Sequence, residues 1–338
     1  MKAALIKEFN KDFVVEDVEV PKIKHNEALV RVKASCLCAA DVKIRNGGIP
    51  NLKLPHIPGH EVAGEVAEIG SSVSNVTVGD RVVVYIYNVC GDCYVCLEGR
   101  ENLCINNIKL GLSRHGGHAE YVSVSERQLL PIPDNISYED GAAIPDAVCT
   151  ILHAIRDQAQ VKLNDYVVLL GVGGLGMNGV QLARLGGGRV IAVARHEEKL
   201  KVAMELGAEW AFNGNDEKLV DKIIEVTNGN GADVVIDLVS KQETFQTAVD
   251  SVKKGGKIIM VGSDSHQVTF QVGQVLSKEI NIKGSMGMTK KTMVDAIDLC
   301  KSGKIKPIVT ERYPLADINE AVKRLSEGKI IGRSVIIP

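Results

Sequence analysis

A chain of 338 residues, 45% hydrophobic and 24% charged, is long enough for two cores and has the balance of a globular protein. Its net charge of −2 gives no support to a nucleic-acid partner, and no run approaches the ~18 consecutive apolar residues of a membrane-spanning helix. The N-terminal stretch MKAALIKEFN turns charged again at Lys7 and Glu8, short of a secretory signal, so a reducing cytoplasm is expected for the eight cysteines.

Residues up to about 140 hold short β-type runs: AALIK, FVVEDVEV, EALVRVKAS, HEVAGEVAEIG and RVVVY. Turns such as NGGIPN and PHIPGH separate them, which predicts an antiparallel β domain. Within it, Cys90, Cys93, Cys96 and Cys104 form a C-x2-C-x2-C-x7-C array. Four thiolates in so short a segment can converge on one tetrahedral Zn²⁺. The tight spacing and the lack of an export signal favour a metal over disulfides, with an iron–sulfur cluster as the rival. Cys36, Cys149 and Cys300 read as small buried apolar side chains.

From about 147 to 285 the pattern changes. Near-continuous apolar runs (YVVLLG, RVIAVA, EWAF, DVVIDL, KIIMVG, EINIKG) alternate with helical stretches near 175–186, 197–206, 216–226 and 243–252. Parallel strands covered on both faces have this signature, so a doubly wound α/β domain is expected. Gly171, Gly173 and Gly176 form G-x-G-x-x-G after the first strand and before the first helix, with Gly174 and Leu175 inside the motif. In that context the first glycine permits a tight turn, the second a close pyrophosphate approach, and the third helix–strand packing. The next strand ends on Ala194 and Arg195, where an NAD site usually carries an acid for the ribose 2′-hydroxyl. Without the carboxylate, and with a guanidinium available, NADP(H) is favoured over NAD(H). Leu238 and Val239, and Val261 and Gly262, follow later strands and are placed to line the cofactor site. Past 286 come one more helix, TKKTMVDAIDLCKSG, and a terminal strand, GRSVIIP.

The ordered set CAAD at 38–41, GHE at 59–61, the cysteine array, AAIPD at 142–146, the glycine motif and GRSVIIP resembles the zinc-dependent alcohol dehydrogenases of the medium-chain dehydrogenase/reductase family, over essentially the whole chain. The resemblance implies an α/β protein with a GroES-like, β-rich catalytic domain from both chain ends (1–147 and 286–338, zinc lobe near 90–104). A Rossmann domain (148–285) would lie between them. It also implies a catalytic zinc on Cys38, His60 and Asp146, with Glu61 as a neighbouring donor, so two zinc ions per chain. Three protein ligands and an open position describe a catalytic site. Cys149 is the rival ligand to Asp146, whereas His56, His118 and His153 fall at no family ligand position. Arg333 resembles the family's phosphate-contacting arginine. A homo-oligomer is expected, a tetramer before a dimer.

One departure stands out. The family carries Ser or Thr two residues after the catalytic Cys, as a hydroxyl that relays the alcohol proton. This chain has Ala40 there, which can neither donate nor accept. The expected activity is hydride transfer between NADP(H), or less so NAD(H), and an alcohol or carbonyl compound. An enone or quinone reductase of the same superfamily, and a non-catalytic NADPH-binding protein, are the alternatives.

Overall fold

The strand Glu27–Leu37 is buried along most of its length, because its alanines, valines, leucines and cysteine face covered positions on both sides. In the computed structural model, which describes residues 1–262 and 267–338, it is the centre of a seven-stranded sheet. Glu61–Ile69, Tyr121–Ser125 and Arg333–Ile337 all pair with it antiparallel. One pair, Val309–Pro314 with Arg333–Ile337, is parallel, so the expected antiparallel sheet is mixed at one edge. Its interior is packed with Val30, Val32, Val62, Val66, Val82, Val84, Val122 and Val124. Each buried valine contributes about 1.5–3 kcal/mol, and β-branching suits the pleated surface. This sheet belongs to a unit formed by Met1–Cys149 and Thr289–Pro338.

The other unit is Thr150–Met288. Its six strands are all parallel, in the order Trp210–Asn213, Arg189–Ala194, Tyr166–Leu170, Ala232–Asp237, Val252–Met260, Asn281–Gly284. Strand order therefore reverses direction beside Tyr166–Leu170, the switch point where doubly wound sheets bind ligands. Val168, Ile191, Val235, Phe245, Val249 and Ile258 pack together in its core. The expected helices appear as Gly174–Leu185, Glu197–Glu205, Leu219–Val226 and Gln242–Ser251. A further short helix, Val272–Lys278, was not expected: its Val272 and Leu276 are 71% and 75% exposed, so no buried stripe marks it.

Candidate functional site

Strand register assembles the first site. Cys36 lies opposite Glu61 on one side and opposite Val335 on the other. Cys38, just beyond the end of its strand, thus meets Glu61 and Arg333, the first residues of the two flanking strands. Asp146 arrives on a π-helical turn, Ile144–Val148, rather than as a helix cap. Pro145 has no N–H to give and crowds the preceding turn, which accounts for the widening. Donor atoms of Cys38, His60, Glu61 and Asp146 all lie within 4.8 Å of one another. Cys149, fully buried, is not in that group.

Cys38 Sγ is 3.3 Å from Asp146 Oδ2, and His60 Nε2 is 3.8 Å from the same oxygen and 4.0 Å from Glu61 Oε1. Arg333, only 4% exposed, closes the group. Its Nη2 lies 2.8 Å from Glu61 Oε1 and 2.8 Å from Asp146 Oδ2, and 3.7 Å from Cys38 Sγ. The contacts described for Arg333 are therefore these acids and the thiol, and it is no surface residue. Sequence reasoning missed this pairing, although Glu61, an acid in a buried strand, signals a need for a cationic partner.

Burial pushes the Glu61 carboxyl up to about 8 despite Arg333, and it also raises the Cys38 thiol. Burial alone would lower His60, but contacts with Asp146 and Cys38 hold it well above the usual imidazole range. Crowded in a dry space, these donors call for added positive charge. A divalent cation would provide it. One sulfur, one imidazole nitrogen and carboxylate oxygens form a donor set that suits zinc. His60 Nδ1 is buried without a hydrogen-bond partner, so Nε2 is the nitrogen turned to the group.

Helix Ala39–Arg45 begins at this site, and Ala40 leaves no hydroxyl in its first turn. Asp41 Oδ2 accepts the Cys38 backbone N–H at 2.8 Å. Burial alone would raise the Asp41 carboxyl, but His118, His60 and that N–H hold it below its usual range.

The cysteine lobe is a second donor group, again within 4.8 Å. Cys90 and Cys104 Sγ atoms are 3.4 Å apart, as are those of Cys93 and Cys96. Both separations far exceed a disulfide bond. A backbone hydrogen bond at Ile105 is the main cause that draws Cys93 down to about 6, the range of a metal-ready thiolate.

At the switch point of the parallel sheet, Gly171 adopts φ +100°, and a Cβ on Gly176 would sit 2.3 Å from the Gly171 carbonyl oxygen. A Cβ on Gly173 would meet nothing within 4 Å, so this residue faces open space. Gly173 caps helix Gly174–Leu185 with no side-chain acceptor, leaving first-turn N–H groups for an anion. Leu175 lies in that first turn. Gly171 and Gly176 approach the side chains of Val239 and Leu238, and Gly262 packs on their backbone. Val261 and Gly262 both donate to the Asp237 carbonyl. Asp237 was not singled out from the sequence. Its carboxylate accepts from Val239 N, Ser240 N and Thr244 Oγ1, and so shapes the neighbouring loop. Ala194 ends its strand buried, and Arg195 is exposed. Lys199, also missed, is held below its usual range by burial and by the charge of Arg195, so two cations sit near this strand end.

Two family descriptions match: an alcohol dehydrogenase GroES-like domain over residues 24–134 and a zinc-binding dehydrogenase over residues 174–302. An alcohol dehydrogenase of Geobacillus stearothermophilus is 37% identical, aligned over 99% of this chain and 98% of its own. A D-arabinose 1-dehydrogenase (NADP(+)) of Saccharolobus solfataricus is 34% identical over 100% of this chain and 97% of its own. The crystal structure of an NAD-dependent alcohol dehydrogenase superposes with a TM-score of 0.95 at 33% identity, covering 100% of both chains. The chain belongs to the zinc-binding alcohol dehydrogenase family of the medium-chain dehydrogenases/reductases, with the GroES-like and Rossmann-type domains of that fold.

Proposed function

We propose that this oxidoreductase interconverts alcohols with aldehydes or ketones, prefers NADP(H), and carries a catalytic and a structural zinc. The observation that carries the reading is the buried convergence of Cys38, His60, Glu61 and Asp146 beside Arg333. Zinc held by Cys38, His60 and Asp146, with Glu61 as an alternate donor, supplies Lewis acidity toward a substrate oxygen. A nicotinamide cofactor supplies or accepts the hydride. The chain's own part is orientation and charge balance. Arg333 donates to both oxygens of Glu61 and to Asp146 Oδ2, and offsets the negative charge that the thiolate and two acids bring. Asp41 holds the Cys38 backbone, and burial keeps water from the donors. No side-chain hydroxyl at position 40 takes the alcohol proton.

The cofactor preference is supported by Ala194 in place of an acid, with Arg195 and Lys199 nearby; Gly171, Gly173 and Gly176 form the pyrophosphate turn. An assembly of copies is supported by the exposed edge strand Asn281–Gly284 together with Val272 and Leu276, and eight free cysteines fit a cytoplasmic setting. An enone or quinone reductase is favoured by one feature, Ala40. The deciding experiment is metal analysis plus a panel of alcohols, ketones and enones with both cofactors. Two zinc ions and higher kcat/KM for alcohol or ketone with NADP(H) are expected. A single zinc, or turnover of enones alone, overturns the reading.

A further inference from the structure

Ser35, Asp41 and His118 form a polar row with no exposed surface, behind the residues of the mixed donor group. His118 Nδ1 lies 3.0 Å from Ser35 Oγ, and Nε2 lies 3.4 Å from Asp41 Oδ1. The other Asp41 oxygen accepts the N–H of Cys38. His118 also touches the segment that carries His60. Its backbone N–H donates to the Pro58 carbonyl at 3.0 Å, and Gly117 donates to the Gly59 carbonyl at 2.8 Å. A Cβ on Gly59 would come within 2.8 Å of His118 Nδ1 and 2.6 Å of its backbone nitrogen, so the imidazole and its backbone lie hard against the residue before His60. Gly59 holds φ +97°, a conformation that glycine alone adopts freely.

A Ser–His–Asp row suggests nucleophilic chemistry, but complete burial denies it any substrate. A dry interior makes unpaired polar atoms costly, and here Asp41 Oδ1 and His118 Nε2 face each other at 3.4 Å without an aligned hydrogen bond, leaving charge and proximity to hold them together. An aromatic or aliphatic residue would fill the same space at less desolvation cost. What His118 offers that those residues lack is a polar ring edge 3.4 Å from Asp41 Oδ1, at ion-pair distance though not aligned as a hydrogen bond, while its ring packs on Gly59. Nε2 faces the Asp41 carboxylate, and Nδ1 is turned to the Ser35 hydroxyl.

We propose that His118 is a positioning residue of the metal centre: anchored by Ser35, it fixes Asp41 and with it the Cys38 backbone, while its packing on Gly59 sets where His60 stands. The inference rests on the metal reading of Cys38, His60, Glu61 and Asp146. Partners that orient metal ligands are worth roughly 10–100-fold in metal affinity.

The test uses the full chain with its lobe metal retained. Zinc affinity is measured by chelator competition in wild type, His118→Phe, His118→Gln and Ser35→Ala, and the visible absorption of cobalt(II) at the same site is recorded. His118→Phe should weaken the mixed site by roughly 10–100-fold and alter the cobalt bands, with the lobe zinc unchanged. His118→Gln, which keeps an N–H, should recover much of that loss, and Ser35→Ala should give a smaller loss of the same kind. If His118→Phe does not fold, the Gln and Ala variants carry the comparison. Wild-type affinity and cobalt bands in all the variants that fold would overturn the proposal. So would a loss from both zinc sites in step with falling Tm, since that marks a purely structural role. Failure of the underlying metal reading looks different: wild type would bind one zinc, and Cys38→Ser would not change the count.

Discussion

The two donor groups of this chain are built in opposite ways. The lobe takes all its donors from one short segment, uses only sulfur, and leaves Cys90, Cys93 and Cys96 partly exposed. The mixed group draws on residues 38, 60, 61 and 146, is largely buried, and combines sulfur, nitrogen and oxygen with an internal counter-ion, Arg333. Local donors close a loop of chain and so stabilise the fold. Non-local donors of mixed chemistry depend on a finished sheet and suit an ion that must stay reactive.

The sharpest way to break this contrast is Asp146→Ala. Loss of a ligand to the reactive ion should cost roughly 10³-fold in kcat, the size of several kcal/mol of lost charge stabilisation, with Tm moving by a few degrees at most. Steady-state kinetics beside a thermal melt measure both, and an equal collapse of the two would place Asp146 among the structural residues. Cys93→Ser should behave the other way round. It should release the lobe zinc and lower Tm by roughly 10 °C or more, because metal binding there contributes to folding. Activity per folded molecule should survive, and a variant that melts like wild type would remove the lobe's structural role.

A smaller effect is expected in the parallel-sheet unit. Ala194→Asp combined with Arg195→Ala should shift the NADP⁺/NAD⁺ ratio of kcat/KM toward NAD⁺ by roughly 10–100-fold, as a carboxylate repels the 2′-phosphate and accepts from a 2′-hydroxyl. An unchanged ratio would show that these two positions do not select the cofactor. The mildest is Ala40→Ser. Proton-transfer help is typically worth 10²–10⁴-fold, and a serine placed without its usual partners should regain only about tenfold in alcohol oxidation near neutrality. Its pH–rate profile should flatten as well; a fall in activity would mean that the alanine makes room for substrate.

The same contrast explains what the sequence disclosed. The cysteine array and the glycine turn are encoded by spacing within a few residues, so a local pattern suffices to find them. The parallel strands are near-continuous apolar runs, and the order of alternation predicts their doubly wound arrangement. Cys38, His60, Glu61 and Asp146 came together on paper only through family resemblance, because their meeting depends on strand register and on a widened turn at Pro145. Arg333 against Glu61, and His118 between Ser35 and Asp41, carry no local signature: the first is set by strands that flank Glu27–Leu37, and the second by a bend, a strand and a helix brought together from distant parts of the sequence. Helix Val272–Lys278 was missed because its exposed apolar side chains make no buried stripe.

Arg333 lies 187 residues after Asp146, on the last strand of the sheet. At a ribosomal rate of ~5–20 residues per second, roughly 10–40 s separate the synthesis of the two. Throughout that interval the nascent chain already holds Cys38, His60, Glu61 and Asp146 but not the cation that balances them. A polypeptide interrupted before Arg333–Ile337 would carry the full set of donors and still lack both that neighbouring strand and the charge that let them be buried together. The donors are therefore made well before the charge that balances them, and their burial waits on the strand that carries Arg333.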